Sequence, residues 1–186
     1  MDLFHRLPRS FYERDTIIVA RDLLGCYLVH LVEGTERVGK IVEVEAYLGP
    51  HDLAAHSSRG LTARTRVLFG APGHAYVYFV YGMHWCMNIV TEPEGQAAAV
   101  LLRALEPVHG VTGRTRGPAL LCKAMQIDGR LNGHDMTSAE FFVAAGPGDA
   151  VSDIVVRPRI GVAYAGAWAE KPLRFYLADN PFVSRP

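Results

Sequence analysis

Two acids, Glu43 and Glu45, stand two residues apart in the strand-like run "KIVEVEAYLG" (40–49). At a period of two, Ile41, Glu43, Glu45 and Tyr47 share one face, and Val42, Val44 and Ala46 share the other. A carboxylate beside an aromatic wall at a strand's end can serve as a general base. The same acids on a solvated face would only keep an edge soluble. Arg103 bears on the choice, because it interrupts the apolar run "VLLRAL" (100–105). An arginine there must face solvent or pair with an acid, since burying it unpaired is costly. Paired with Glu45, it would keep that carboxylate ionised. His51, Asp52 and His56 are metal-ligand types, but no second cluster, H-E-x-x-H or C-x-x-C accompanies them. They read as hydrogen-bonding or stacking groups of a loop, so no metal or organic cofactor is expected.

A second candidate is "AYVYFVYGMHWCMNI" (75–89), a hairpin that is aromatic on both faces. Gly82-Met83 fits a two-residue turn with glycine at its first central position. That register pairs Val80 with Trp85, Phe79 with Cys86, Tyr78 with Met87 and Val77 with Asn88, and makes Tyr81 and His84 the corners. Tyr76, Tyr78, Val80, Trp85, Met87 and Ile89 then share one face. Val77, Phe79, Tyr81, His84, Cys86 and Asn88 share the other, so Tyr78 and Asn88 point apart unless a bulge shifts the pairing. Two layers sandwiching the hairpin would explain the bulk on both faces. They would not explain why it continues to the turn, where exposure is normal. An aromatic tip flanked by arginines is suited to wedging into a base stack.

The elements that must position these groups follow from pattern. Asp15 or Thr16 can cap a helix with Ile17, Ala20, Leu23 and Leu24 on its apolar face, ended by Gly25. "CYLVHLVE" (26–33) reads as a strand, "GTER" (34–37) as a turn and "VGKIVEVEAY" (38–47) as the partner strand. A polar, His-rich loop spans 48–61, and Thr62 can cap a short helix up to Gly70. After the hairpin come an "EPEG" turn (92–95), the strand "AAAVLLRAL" (97–105) and a helix "PALLCKAMQI" (118–127) begun by proline. Further strands are expected near "EFFVAA" (140–145) and "DIVVRPRI" (153–160), then a short helix or strand in "PLRFYLADNPFVS" (172–184). Strands joined by short turns, with few helices, imply an α+β fold with a curved, mainly antiparallel sheet.

The 186 residues fit one domain, 1–186, with residues 1–9 as a flexible start. Apolar residues are 49% and charged residues 20%, which excludes a disordered chain. No apolar run reaches the roughly 20 residues of a membrane span, and 1–10 lacks a signal peptide's apolar stretch. Cys26, Cys86 and Cys122 have no paired spacing and read as free thiols of a reducing compartment. A cytoplasmic protein is therefore expected. Net charge is zero, yet no acid lies between Asp52 and Glu92, where Arg59, Arg64 and Arg66 sit. None lies between Glu106 and Asp128 either, where Arg114, Arg116 and Lys123 sit. Two acid-free basic segments can form a positive face on a neutral molecule.

The blocks "VEVEAYLG" (42–49), "AAHSSRG" (54–60), "PGHAYVYFVYGMHWCMNIV" (72–90), "VLLRALEP" (100–107), "GPALLCKAM" (117–125) and "WAEKPLRFY" (168–176) occur in that order. Together they resemble the alkyladenine (3-methyladenine, N-methylpurine) DNA glycosylase family over about 11–184. The resemblance implies one mixed α/β domain with a curved antiparallel sheet and a protruding β-hairpin. It implies a monomeric base-excision-repair enzyme that flips alkylated or deaminated purines out of double-stranded DNA and hydrolyses the N-glycosidic bond. Glu45 would activate the water and Arg103 help hold it. Tyr47, His56 and Tyr78 would stack around the flipped base, and Asn88 would crowd the exocyclic amine of guanine. Tyr81, with Met83 and His84 at the tip, would fill the gap in the duplex, while Arg59, Arg64, Arg66, Arg114 and Arg116 would meet phosphates. The chain departs from the family pattern in a short 107–117 segment, in Leu120 where lysine is frequent, in His84 and in Ala167. These departures bear on DNA affinity and substrate range. Two other readings compete: a non-catalytic module that senses deformed duplex through the hairpin, and a metal-dependent hydrolase built on His51, Asp52 and His56.

Overall fold

The computed structural model describes residues 5–146 and 153–186. Its centre is an open antiparallel sheet. The strands are β1 (His5–Arg6), β2 (Tyr27–Val32), β3 (Thr35–Tyr47), β4 (Ala75–Val80), β5 (His84–Thr91), β6 (Ala98–His109), β7 (Phe141–Ala145), β8 (Ile154–Arg157) and β9 (Arg174–Leu177). Their order is β1-β7-β2-β3-β6-β5-β4, with β9 on β3 and β8 on β9. This is the mainly antiparallel α+β architecture expected from the pattern. Of the start expected to be flexible, residues 1–4 lie outside the described residues, whereas His5 and Arg6 pair with Ala145 and Ala144. No helix among the described residues is long and apolar enough to cross a membrane.

The long strand β3 organises the sheet. One edge pairs with β6 along nearly its whole length; the other pairs first with β2, up to Lys40, and then with β9 at Glu43–Glu45. The β3–β6 register shifts between Val38 and Gly39 and again on both sides of Glu43. Those irregularities twist the strand where it passes from one neighbour to the next. Every residue from Ile41 to Ala46 is buried, on both faces. The solvated-face alternative for Glu43 and Glu45 therefore falls.

Helix α2 (Thr16–Leu23) begins as the pattern requires: Asp15 accepts from the amides of Ile17 and Ile18 at 2.9 and 3.1 Å. Val19, Ala20 and Leu23 are its buried face. Replacing Asp15 with alanine should cost about 1 kcal/mol. For a chain of this size that lowers the melting midpoint by roughly 2–4 °C in a thermal scan. Helix α3 (Pro118–Ala124) has its proline at the first turn and buries Leu121, Cys122 and Ala124. A one-turn helix α1 (Arg9–Tyr12) precedes α2 and puts Tyr12 in the core with Leu28, Ile41, Leu102, Leu105, Met125 and Phe141.

Three local expectations are corrected. The β2–β3 turn lies at Glu33-Gly34, both with positive φ (51° and 74°), because Val32 pairs with Thr35. Thr62 does not open a helix: Thr62 and Thr65 hydrogen-bond each other, and only Arg66–Phe69 forms a 3-10 turn. The β4–β5 hairpin has a three-residue loop, Tyr81-Gly82-Met83, with Val80 paired to His84. Tyr81 and Gly82 are both left-handed (φ 55° and 66°), and the Met83 amide donates to Val80 O at 3.3 Å. The register is one residue off the two-residue reading, so Tyr78 pairs with Cys86 and Tyr76 with Asn88. A one-residue slip sends every side chain to the opposite face. Val77, Phe79, Trp85, Met87 and Ile89 now share one face, while Tyr76, Tyr78, Val80, His84, Cys86 and Asn88 share the other. β5 pairs with β6 only from Asn88 to Thr91, so the turn end projects beyond the sheet.

Candidate active site

The corrected register brings Tyr76, Tyr78, Cys86 and Asn88 to one wall of a cavity of about 650 Å³. The opposite walls come from Tyr47 at the end of β3, from the 3-10 turn His56–Arg59, from Arg103 on β6 and from Ile160 to Tyr164 after β8. Tyr81, Arg59 and Arg64 stand at its rim, and Tyr81 is 86% exposed. Met83 and His84 are exposed at the hairpin end outside the cavity. Arg66, Arg114 and Arg116 are exposed but do not line it; the Arg116 Nε donates to Val183 O at 3.2 Å.

Glu45 is fully buried behind this surface. Its Oε2 accepts from the Tyr47 hydroxyl at 2.7 Å, and its Oε1 accepts from the Ile160 amide at 2.7 Å. Arg103 Nη1 lies 3.3 Å from the same Oε1, while its Nε donates to Glu43 Oε1 at 3.0 Å. Arg103 thus pairs with both acids of β3. Burial lifts the Glu45 carboxyl above the ordinary carboxylate range; Arg103, the Ile160 amide and Tyr47 pull against that rise. The result is a buried carboxylate reached from the cavity past Tyr47, Arg103 and Ile160.

The aromatic side chains form a connected set. The rings of His56 and Tyr78 meet edge-on at 4.6 Å, and those of Tyr76 and Tyr78 lie 5.3 Å apart. His56 Nδ1 is 3.0 Å from the Tyr76 hydroxyl. Burial, with Arg64 and Arg59 nearby, pushes His56 down to about 4, so its ring is neutral at pH 7. Asn88 Nδ2 donates to Tyr76 O at 3.3 Å across the hairpin. Tyr47 is backed by Arg159, whose guanidinium sits 4.7 Å from the ring centre.

Arg159 also answers for the residues that suggested a metal. Asp52 is fully buried and accepts from Arg159 at 2.6 and 2.9 Å and from the amides of Leu48 and Ala54 at 3.0 Å each. His51 instead meets Trp168 edge-on at 5.6 Å, and His56 turns to Tyr76. The three side chains do not converge. Asp52 holds the loop that carries His56 against the sheet.

Sequence reasoning missed Glu43 as an anchor, together with Arg174, Ser184 and the Ile160 amide, which come from the last third of the chain. The pairing of two acids at i and i+2 with one interior arginine was the only signal for the first of these. No local pattern marks the others.

The family description Methylpurine-DNA glycosylase matches residues 10–181. A Legionella pneumophila (strain Lens) protein is 58% identical over 180 residues, covering 97% of this chain and 98% of its own. A protein of Anaeromyxobacter dehalogenans (strain 2CP-1 / ATCC BAA-258) is 51% identical over 182 residues, covering 97% of this chain and 86% of its own. One of Myxococcus xanthus is 49% identical over 181 residues, with 96% and 93% covered. All three carry the provisional name 3-methyladenine DNA glycosylase. The chain belongs to the methylpurine-DNA glycosylase family, and the enzyme is a hydrolase of N-glycosyl bonds in DNA.

Proposed function

We propose that the enzyme takes damaged purines out of duplex DNA into the aromatic cavity, hydrolyses the N-glycosidic bond there and leaves an abasic site. The observation that carries this reading is the Glu45–Arg103 pair, buried behind the wall of an aromatic cavity whose rim bears an exposed hairpin tyrosine. Glycosidic cleavage builds positive charge on the sugar and needs an activated water on one face. An ionised Glu45 serves both needs. Arg103 orients that water and keeps the carboxylate charged, and Tyr47, His56 and Tyr78 surround the base. N3- and N7-alkylated purines are cationic, so tyrosine faces attract them, and a neutral His56 does not repel them. Asn88, on the same wall as Tyr78, crowds the exocyclic amine of normal guanine. Damaged bases also unpair and unstack at lower cost. Tyr81 fills the gap in the base stack, with Met83 and His84 against the backbone. Arg59 and Arg64 meet phosphates near the cavity mouth; Arg66, Arg114 and Arg116 meet phosphates further along the duplex. The enzyme acts as a monomer.

The substrates are 3-methyladenine, for which the relatives are named, and 7-methylguanine, hypoxanthine and etheno-adenine. Alkylated purines leave readily because they are already cationic; the two neutral lesions need their leaving group protonated. None of the three lysines, Lys40, Lys123 and Lys171, lines the cavity among the described residues, which supports a hydrolase that leaves the strand uncleaved. An assay on four duplexes, each carrying one of these lesions, tests the reading. Release of the alkylated bases is expected; release from none of the four overturns it.

The acid limb of the rate profile carries a further prediction. A carboxyl raised above its ordinary value is a base only above the raised value, so activity is lost as pH falls through it. The midpoint of that limb should lie above the ordinary 4.5. A single-turnover pH profile on 3-methyladenine, whose positive charge is fixed by methylation and which leaves without being protonated, measures it.

A further inference from the structure

Behind the Glu45–Arg103 pair lies a second layer of charge. Glu43 is fully buried. Its Oε1 accepts from Arg103 Nε at 3.0 Å, Arg174 Nη1 at 3.1 Å and Ser184 Oγ at 3.0 Å, and its Oε2 accepts from the Ser184 amide at 2.7 Å. Arg174 stands opposite Glu45 in the β3–β9 register, yet its guanidinium reaches Glu43 and the carbonyl of Arg185 at 2.6 Å, with Nε on Pro158 O. Among the described residues no hydrogen bond joins Arg174 to Glu45, and Arg174 does not line the cavity.

We propose that Arg174 is a positioning residue for the reaction: by neutralising Glu43 from behind, it leaves Arg103 to serve Glu45 and so sets the pH at which Glu45 becomes a base. The inference rests on the reading of Glu45 as that base. Two carboxylates and two guanidiniums balance. Without Arg174, one guanidinium stands between two buried carboxylates, and two acids sharing one cation cannot both ionise easily. Each acid keeps two further donors, so Arg103 decides: its Nε donates to Glu43 at 3.0 Å while its Nη1 stands 3.3 Å from Glu45, and the proton then settles on Glu45. The other groups facing Glu45 are Tyr47 on its own strand, the Ile160 amide, Tyr78 and Cys86 from the hairpin, and Tyr164. None of them is a cation that could replace Arg103.

The test is the single-turnover pH profile of base release for wild type, Arg174→Gln and Arg174→Lys, with Glu45→Gln alongside. Arg174→Gln should move the acid limb upward by about 0.5–1 pH unit and regain most of its rate on the alkaline side. Arg174→Lys keeps the charge and should leave the limb near its wild-type place. A role confined to packing would lower the rate at every pH and leave the limb unmoved, which overturns the inference. If Arg174→Gln does not fold, Glu43→Gln tests the same charge balance from the other side: it leaves both guanidiniums to Glu45 and should shift the limb downward, and an unmoved limb again overturns the inference. Release that survives Glu45→Gln overturns the reading of Glu45 and this inference with it. A dead Glu45→Gln beside an unmoved Arg174→Gln limb overturns the inference alone.

Discussion

Glu45→Gln should lower single-turnover base release by about 100- to 10,000-fold, the usual contribution of a positioned acid–base group, while the protein stays folded and still binds a modified or abasic duplex. Glutamine keeps the size of the side chain and can still accept from the Ile160 amide or the Tyr47 hydroxyl. It cannot take a proton from water at the pH of the assay. The stability side has a definite sign. Burial raises the Glu45 carboxyl in the folded state, so the native protein holds that proton more tightly than the unfolded chain. Stability therefore falls as pH rises from the unfolded value through the folded one. Wild type bears that cost at neutral pH and Glu45→Gln does not. The variant should melt no lower than wild type in a thermal scan at pH 7. Near-normal turnover would remove Glu45 from the chemistry, and a much lower melting point would mean that the carboxylate is chiefly structural.

The largest loss of stability is expected at Arg159. Its ion pair with Asp52 is completely buried on both sides, and the same guanidinium donates to Ala46 O at 2.9 Å and backs the Tyr47 ring. Arg159→Met would leave Asp52 charged or protonated in the interior with only amide donors. Breaking a buried pair from one side costs about 3–5 kcal/mol, or a fall of roughly 6–20 °C in melting midpoint for a chain of this length. Adding Asp52→Asn to Arg159→Met should recover part of the loss, because the orphaned charge is then gone. A fall below about 2 °C for Arg159→Met would show that water or a shifted loop already satisfies Asp52. Activity should drop further than stability alone explains, since Tyr47 and the loop carrying His56 both rest on this pair.

How far the sequence exposed this architecture depended on the range of the signal. The cap at Asp15, the proline that opens α3 and the strand character of 26–47 are local, and they hold, apart from the tighter turn that starts β3 three residues early at Thr35. The site's own strand, β3, and its arginine on β6 were visible because acids and an arginine interrupt otherwise apolar runs. The hairpin misled by one residue. Glycine at the first central position is favoured in a two-residue turn, but here Tyr81 itself takes the left-handed conformation, and a non-glycine residue there costs about 1–2 kcal/mol. Sequence preference therefore pointed to the cheaper turn. The observed turn joins Tyr78 and Asn88 on one wall, which the cheaper one would have kept apart. Asp52 reads correctly as a hydrogen-bonding group of its loop, but the partner that fixes it was hidden for a different reason. Its partner Arg159 lies 107 residues away, and only the path of the chain could bring it there. The same holds for Ser184, which is 141 residues from Glu43.

Hydrolysis by a carboxylate-activated water, with no amine taking part, is the central claim, and one reaction tests it directly. Duplex DNA methylated at adenine N3 is treated with excess enzyme, with and without borohydride, and both the released base and any protein–DNA adduct are measured. The prediction is free 3-methyladenine, an uncleaved strand bearing an abasic site, and no borohydride-dependent adduct. A trapped covalent adduct, or methylated duplex left intact with no base released, would contradict it.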